Sequence, residues 1–283
     1  MRDGSPTRPP TPLPVTVTRI GSPVPLVPGP VEIAVVSPRC GLPVPTVASL
    51  RSFVGLCFRG DAARLLLLPG VQDVWPTDAR SVMSVASELG AAALFECARG
   101  DDAAWVASDR NGAPLGTRIR QTFSTSADVD ANPALVDALL VACGPGGERT
   151  VSLAGTAVGL LSCGENNLLR NAQRDGNRVS VRHRPRAEVF PGVPIVFNGA
   201  HTNMGNWGKL DKRFEFLSRG GRLSLYATNN GAERTSWRSA LRAWHDGRKV
   251  ADGEEVFGGH GVQARLVRDP ADRFRALVVI HLQ

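Results

Sequence analysis

The stretch Val158-Gly-Leu-Leu-Ser-Cys-Gly-Glu-Asn-Asn167 changes character halfway along. Val158 to Leu161 are apolar and have the length of a buried strand. Gly164, Asn166 and Asn167 break that pattern and suit a turn or a helix cap. A strand ending here carries the Cys163 thiol to the carboxyl edge of a sheet, where open α/β folds place their ligands. Two readings of Cys163 stand at this point: an inert core thiol, the commoner fate of cysteine, or a nucleophile.

The segments around this stretch alternate in type. Thr150 to Leu153 reads as a strand that pairs with Val158 to Ser162 in a hairpin around Ala154-Gly155. Upstream, Val31 to Val36 is a buried first strand, and Thr46 to Arg59 is a helix with Val47, Leu50, Val54 and Phe58 at helical spacing. Arg64 to Leu68 is a second strand closed by Pro69-Gly70, and Ala79 to Leu89 a second helix. Ala91 to Glu96 and Ala103 to Ser108 follow as strands, then the turn Asp109 to Gly112 and a short helix from Pro133 to Cys143. Downstream of Cys163 an Arg-rich polar connection leads to a strand at Pro194 to Asn198, a helix at Trp207 to Ser218 and a strand at Arg222 to Thr228. Two last strands are expected at Gly261 to Val267 and Phe274 to Leu282. Strands alternating with helices in both halves predict a layered α/β fold, in a single domain over 31–283. Residues 1–30, rich in Pro, Ser, Thr and Gly without a period, read as a flexible Pro-rich tail.

Composition removes several function classes. The net charge of +7 is carried almost entirely by scattered arginines, clustered only at Arg178 to Arg186 and Arg265 to Arg275. With no aromatic interleaving and no recognition motif, nucleic acid is not an expected partner despite the basic charge. No apolar run approaches the roughly 18–20 residues of a membrane span, and no continuous apolar leader opens the chain, so a non-membrane, cytoplasmic protein is expected. The five cysteines contain no C-x-x-C pair, which indicates neither a disulfide framework nor a zinc site; no cofactor is expected. The only lysines are Lys209, Lys212 and Lys249, all after Cys163.

The order of these signals resembles the carbon-nitrogen hydrolase (nitrilase/amidase) superfamily over residues 31–283. VGLLSCGENN and IVFNGAHTNMGNWGKLDKRFEFLSRGGRLSLYATNN carry most of the resemblance. It implies a four-layer αββα sandwich, commonly a homodimer, acting on a small amide, nitrile or carboxylate ligand. It also implies a Glu-Lys-Cys triad, in which cysteine attacks the amide carbonyl or nitrile carbon, glutamate moves protons and lysine stabilises the developing negative charge. Such a route needs a thiolate, a base and a cation or N–H donors aimed at the oxyanion.

Carried over residue by residue, that triad is degenerate. Cys163 takes the cysteine position, but the residue after the strand-closing proline is Gly70, which offers no carboxylate. The lysine segment corresponds to Thr117 to Phe123, with Gln121 at the counterpart position and Arg120 beside it. Because no lysine precedes Cys163, a shifted register cannot restore one. Replacements are nonetheless available. Glu96 closes a strand expected beside the second one, and His201, on the loop after the next strand, is a general base by type. Arg118 or Arg120 can supply positive charge without exchanging protons. Glu165 is either a further acid or an ordinary first-turn carboxylate. Glu96 as a solvated strand end and His201 as a structural histidine are the plain alternatives. Asn166, Asn198 and Gly70 are the expected substrate-binding positions. Two functions follow: amide or nitrile hydrolysis, or acyl transfer, through a Cys163 thioester; or a catalytically inactive nitrilase-fold protein, a pseudoenzyme acting as a binding or scaffolding module. A class I glutamine amidotransferase fits less well, because the sharp elbow of such sites wants a glycine two residues before the nucleophile and no His-x-Glu pair follows.

Overall fold

Val31–Pro38 (β1) is buried at every position, as a strand covered on both faces must be. It is followed by Val47–Cys57 (α1), Ala63–Leu67 (β2), Ala79–Glu88 (α2), Ala91–Cys97 (β3), Ala104–Ser108 (β4) and Pro114–Ile119 (β5). Then come Ser126–Ala131 (α3), Pro133–Ala142 (α4), Thr150–Leu153 (β6) and Thr156–Ser162 (β7), which runs into a 3₁₀ turn at Cys163–Leu168. Leu169–Ala172 (β8), Arg178–Val181 (β9), Ile195–Ala200 (β10), Trp207–Leu217 (α5) and Leu223–Thr228 (β11) follow. The last strands are Leu241–His245 (β12), Arg248–Asp252 (β13), Glu255–Val256 (β14), Val262–Arg268 (β15) and Phe274–His281 (β16). The structure, a computed structural model, describes residues 29–39, 41–42, 45–69, 79–97, 103–172, 178–201, 206–229, 237–238, 240–259 and 261–282. Gly70 and nearly all of the expected tail lie outside them.

Two seven-stranded sheets result, in the orders β15-β16-β1-β2-β3-β4-β5 and β14-β13-β12-β11-β10-β7-β6. Alternate residues decide what each face meets. Ile33, Val35, Leu65, Leu67 and Leu94 of the first sheet pack against Val158, Leu160, Ile195, Phe197 and Leu225 of the second. The intervening residues Ala34, Val36, Leu66 and Phe95 face Leu50, Phe53 and Val54 of α1 and Val82 and Val85 of α2. On the far side, Leu161, Val196 and Tyr226 meet Val136 and Leu139 of α4 and Phe214 of α5. The layers are therefore helix, sheet, sheet, helix: the four-layer αββα sandwich expected from the sequence.

Register brings one set of strand ends together. β1, β2 and β3 are parallel, with Leu67 opposite Leu94, so Glu96 is level with Pro69. β7, β10 and β11 are also parallel, with Ser162 opposite Gly199 and Gly199 opposite Ala227. Ser37 Oγ at the end of β1 donates to Thr228 O at the end of β11, 2.5 Å away, so the carboxyl edges of the two sheets meet.

The structure adds α3, β5, β8, β9 and β12 to β14 to the elements expected from the sequence. The Arg-rich connection after Cys163 contains the β8–β9 hairpin, because Leu168, Leu169 and Val181 are buried in the outer cluster beneath their charged neighbours. Pro114–Ile119 forms β5, an edge strand, where a proline at the first position removes no interior ladder bond. Among the described residues no helix is long and apolar enough to cross a membrane.

Candidate active site

The turn at Cys163 is set by its neighbour. A Cβ on Gly164 would lie 2.3 Å from Phe123 O and 2.4 Å from Ser124 O, so only glycine lets the chain press this closely on the 120–124 segment. Cys163 is half-buried and packs against the outer cluster that also contains Phe123 and Leu161. Among the described residues its Sγ forms no hydrogen bond.

Glu96 and His201 meet between the sheets. Glu96, 1% exposed at the end of β3, accepts a hydrogen bond at Oε2 from Nε2 of His201, just past the end of β10. β7 and β10 pair as far as Ser162 and Gly199; beyond that point Cys163 begins the 3₁₀ turn and packs on the helix-facing side of the sheet, while His201 lies one residue past the end of β10. A carboxylate on one ring nitrogen fixes the tautomer and stabilises the imidazolium, leaving Nδ1 to take a proton. Trp105 lies opposite Glu96 in the β3–β4 ladder, and its ring occupies the space where a Cβ on Gly199 would stand 2.1 Å from Cη2. Trp105 Nε1 and Ser162 Oγ are buried without a partner.

The other expected residues sort differently. Asn198 Nδ2 donates to Leu161 O at 2.9 Å and Ser162 O at 3.2 Å, tying down the end of β7, while its Oδ1 is buried and unpartnered. Both side-chain amide atoms of Asn166 are likewise buried and unpartnered. Gln121 Nε2 donates to Phe123 O at 2.9 Å and Ser124 Oγ at 3.2 Å, within its own segment. Arg120 is exposed, and its carbonyl accepts from Arg149 Nη2. Glu165 is wholly buried and paired with Arg149. Burial pushes the Glu165 carboxyl up from the ordinary range, and the Arg149 guanidinium with the N–H groups of Thr122 and Ser162 draws it back down.

Glu96 and His201 are thus brought together, and so are Glu165, Ser162 and the 120–122 segment. None of them is hydrogen-bonded to the thiol. Two residues escaped the sequence reading. Arg149 looks like any other scattered arginine, whereas Trp105 had a signal, since it alternates with Ala107 on the inner face of a short apolar strand. No group of three His, Cys, Asp or Glu side chains among the described residues is placed to hold a metal ion.

The thiols themselves separate by burial. Desolvation pushes Cys57 and Cys143 each up to about 12, leaving roughly one thiolate in 10⁴ at pH 8. Alkylation at that pH should therefore leave Cys57 and Cys143 intact and modify the half-buried Cys163 and Cys97. Peptide mapping by mass spectrometry reads the result.

The sequence matches no family model and no curated protein. Solved structures do match the fold. A mutant of the Nesterenkonia AN1 amidase from the nitrilase superfamily is 12% identical, with a TM-score of 0.51 over 90% of this chain and 92% of that one. A double mutant of the amidase from Nesterenkonia sp. AN1 in complex with acrylamide is 13% identical, with a TM-score of 0.51 over 92% and 93% of the two chains. A third structure carries the acetamide moiety of fluoroacetamide added covalently at that amidase's active-site cysteine. It is 12% identical, with a TM-score of 0.51 over 92% and 93%.

Proposed function

We propose that this chain, which has the αββα fold of the nitrilase-superfamily amidases, hydrolyses or transfers the acyl group of a small amide or nitrile through a thioester on Cys163. The observation that carries this reading is the Glu96–His201 pair, at the same sheet edge as the thiol. The superfamily's glutamate and lysine positions read Gly70 and Gln121 here. A carboxylate-held imidazole supplies the base that those positions lack.

With an amide, Sγ attacks the carbonyl carbon as its proton passes to His201 Nδ1. The imidazolium, stabilised by Glu96, returns a proton to the leaving nitrogen as the C–N bond breaks. Water, deprotonated by the same ring, then releases the acid; an amine in its place gives acyl transfer. With a nitrile, the thioimidate formed first takes up water before the nitrogen leaves. Arg120 lies on a segment pressed against the Cys163 turn and supplies positive charge toward the oxyanion. The unpartnered side-chain amide of Asn166 and the unpartnered Oδ1 of Asn198 suit a ligand that both donates and accepts. The nitrilase-superfamily amidase crystallised with acrylamide supports a small amide as the ligand class, and a homodimer belongs to the same reading.

The test is a covalent adduct. After exposure to a panel of small amides and nitriles, the Cys163 peptide should gain the acyl mass, and the Cys163→Ala protein should gain nothing. A folded wild-type protein that acquires no adduct across the panel overturns the reading. Two observations favour a noncatalytic binding module instead: Sγ has no polar partner among the described residues, and Gln121 is engaged within its own segment. In that case Cys163→Ala binds the same ligands with unchanged affinity.

A further inference from the structure

Glu165 accepts four hydrogen bonds from three parts of the chain. Oε1 takes Arg149 Nη2 at 2.7 Å and Thr122 N at 2.6 Å. Oε2 takes Arg149 Nη1 at 2.9 Å and Ser162 N at 2.8 Å. Arg149 also reaches Thr122 Oγ1 at 2.9 Å and the carbonyl of Arg120. The residue just before β6, the 120–122 segment and the last residue before Cys163 therefore converge on one carboxylate. Neither partner touches solvent, with side-chain exposures of 2% and 0%.

A buried ion pair is a poor way to gain stability, because desolvating two charges offsets most of their attraction and an apolar pair of the same volume does as well. What the pair has that an apolar one lacks is geometry. The planar guanidinium meets both carboxylate oxygens at once and fixes angles as well as distance. The close approach of Gly164 to Phe123 and Ser124 allows this arrangement and cannot impose it, since van der Waals contact does not select among neighbouring registers.

We propose that the Arg149–Glu165 pair is a positioning device that holds the 120–124 segment in register on the turn of Cys163, and so sets what surrounds the thiol. For catalysis this rests on Cys163 being the nucleophile. The positioning itself does not. Both residues act through Cys163 and Arg120 and need not touch substrate.

The test uses the full chain and two variants, with a cooperative thermal melt to establish folding. Arg149→Met/Glu165→Gln removes both charges at similar volume. Arg149→Lys keeps a charge and loses the two-pronged contact. One readout is hydrogen exchange at the Thr122 amide, and the other is the rate of Cys163 alkylation by iodoacetamide at neutral pH. We expect exchange about tenfold faster in the double variant, with Arg149→Lys between it and wild type, and a matching change in alkylation rate. Should the double variant not fold, Arg149→Lys decides alone. Wild-type exchange and alkylation in the folded variants overturn the proposal. Neither readout needs turnover, so a wild-type protein that forms no acyl adduct retires the amidase reading and leaves this one standing. Unchanged exchange does the reverse.

Discussion

Replacing His201 by alanine should slow acylation of Cys163 by about 10²- to 10⁴-fold, the usual worth of a positioned general base. The imidazole is joined to a carboxylate that is 1% exposed, and a charge so placed is stabilised only by what it touches. Glu96→Gln should therefore cost less than His201→Ala but act in the same direction. The amide oxygen can still accept from the ring, while the charge that stabilises the imidazolium is gone. Single-turnover acylation with an activated anilide of a small acid separates this step from thioester hydrolysis. Wild-type acylation in His201→Ala would remove the imidazole from the reaction and assign the proton to another group.

The second large effect is on stability. Arg149→Met strands the fully buried Glu165 carboxylate, and breaking a buried pair on one side typically costs about 3–5 kcal/mol. Set against the roughly 5–15 kcal/mol that holds a typical domain together, that is a large share. Urea unfolding monitored by tryptophan fluorescence reads it directly. The Arg149→Met/Glu165→Gln protein should recover much of the loss, because the penalty belongs to the lone charge rather than to the missing attraction. A single-variant loss under about 1 kcal/mol would mean that water reaches the pair and that it is worth no more than a surface one.

The two effects also separate the roles of two carboxylates that look alike in the sequence. Glu96 sits at a strand end and Glu165 in a turn. Glu96 is spent on a histidine across the sandwich, 105 residues away in the chain. Glu165 is spent on an arginine and two backbone amides. The first thus meets a histidine and the second a permanent cation, and nothing in the local sequence of either residue says so.

Several elements were readable because their information is local. β1, β10 and β11 are buried at every position, so their apolar runs stand out, and the β6–β7 hairpin announces itself through Ala154-Gly155, both at positive φ. Cys163 at the end of an apolar run, followed by residues that cannot continue a strand, is legible for the same reason. β8 and β9 were not legible, since each is four residues long and contributes a single buried residue.

The sequence by itself determined the strand that delivers Cys163, the alternation that predicts a layered α/β fold, and the absence of a glutamate at position 70 and of any lysine before the thiol. Those are properties of residue order and composition. Only the tertiary structure decided that Glu96 meets His201 and that Glu165 meets Arg149 and Thr122. Each of these contacts joins segments whose separation depends on strand register and on how the two sheets face one another, and side-chain periodicity along a single strand carries no record of either.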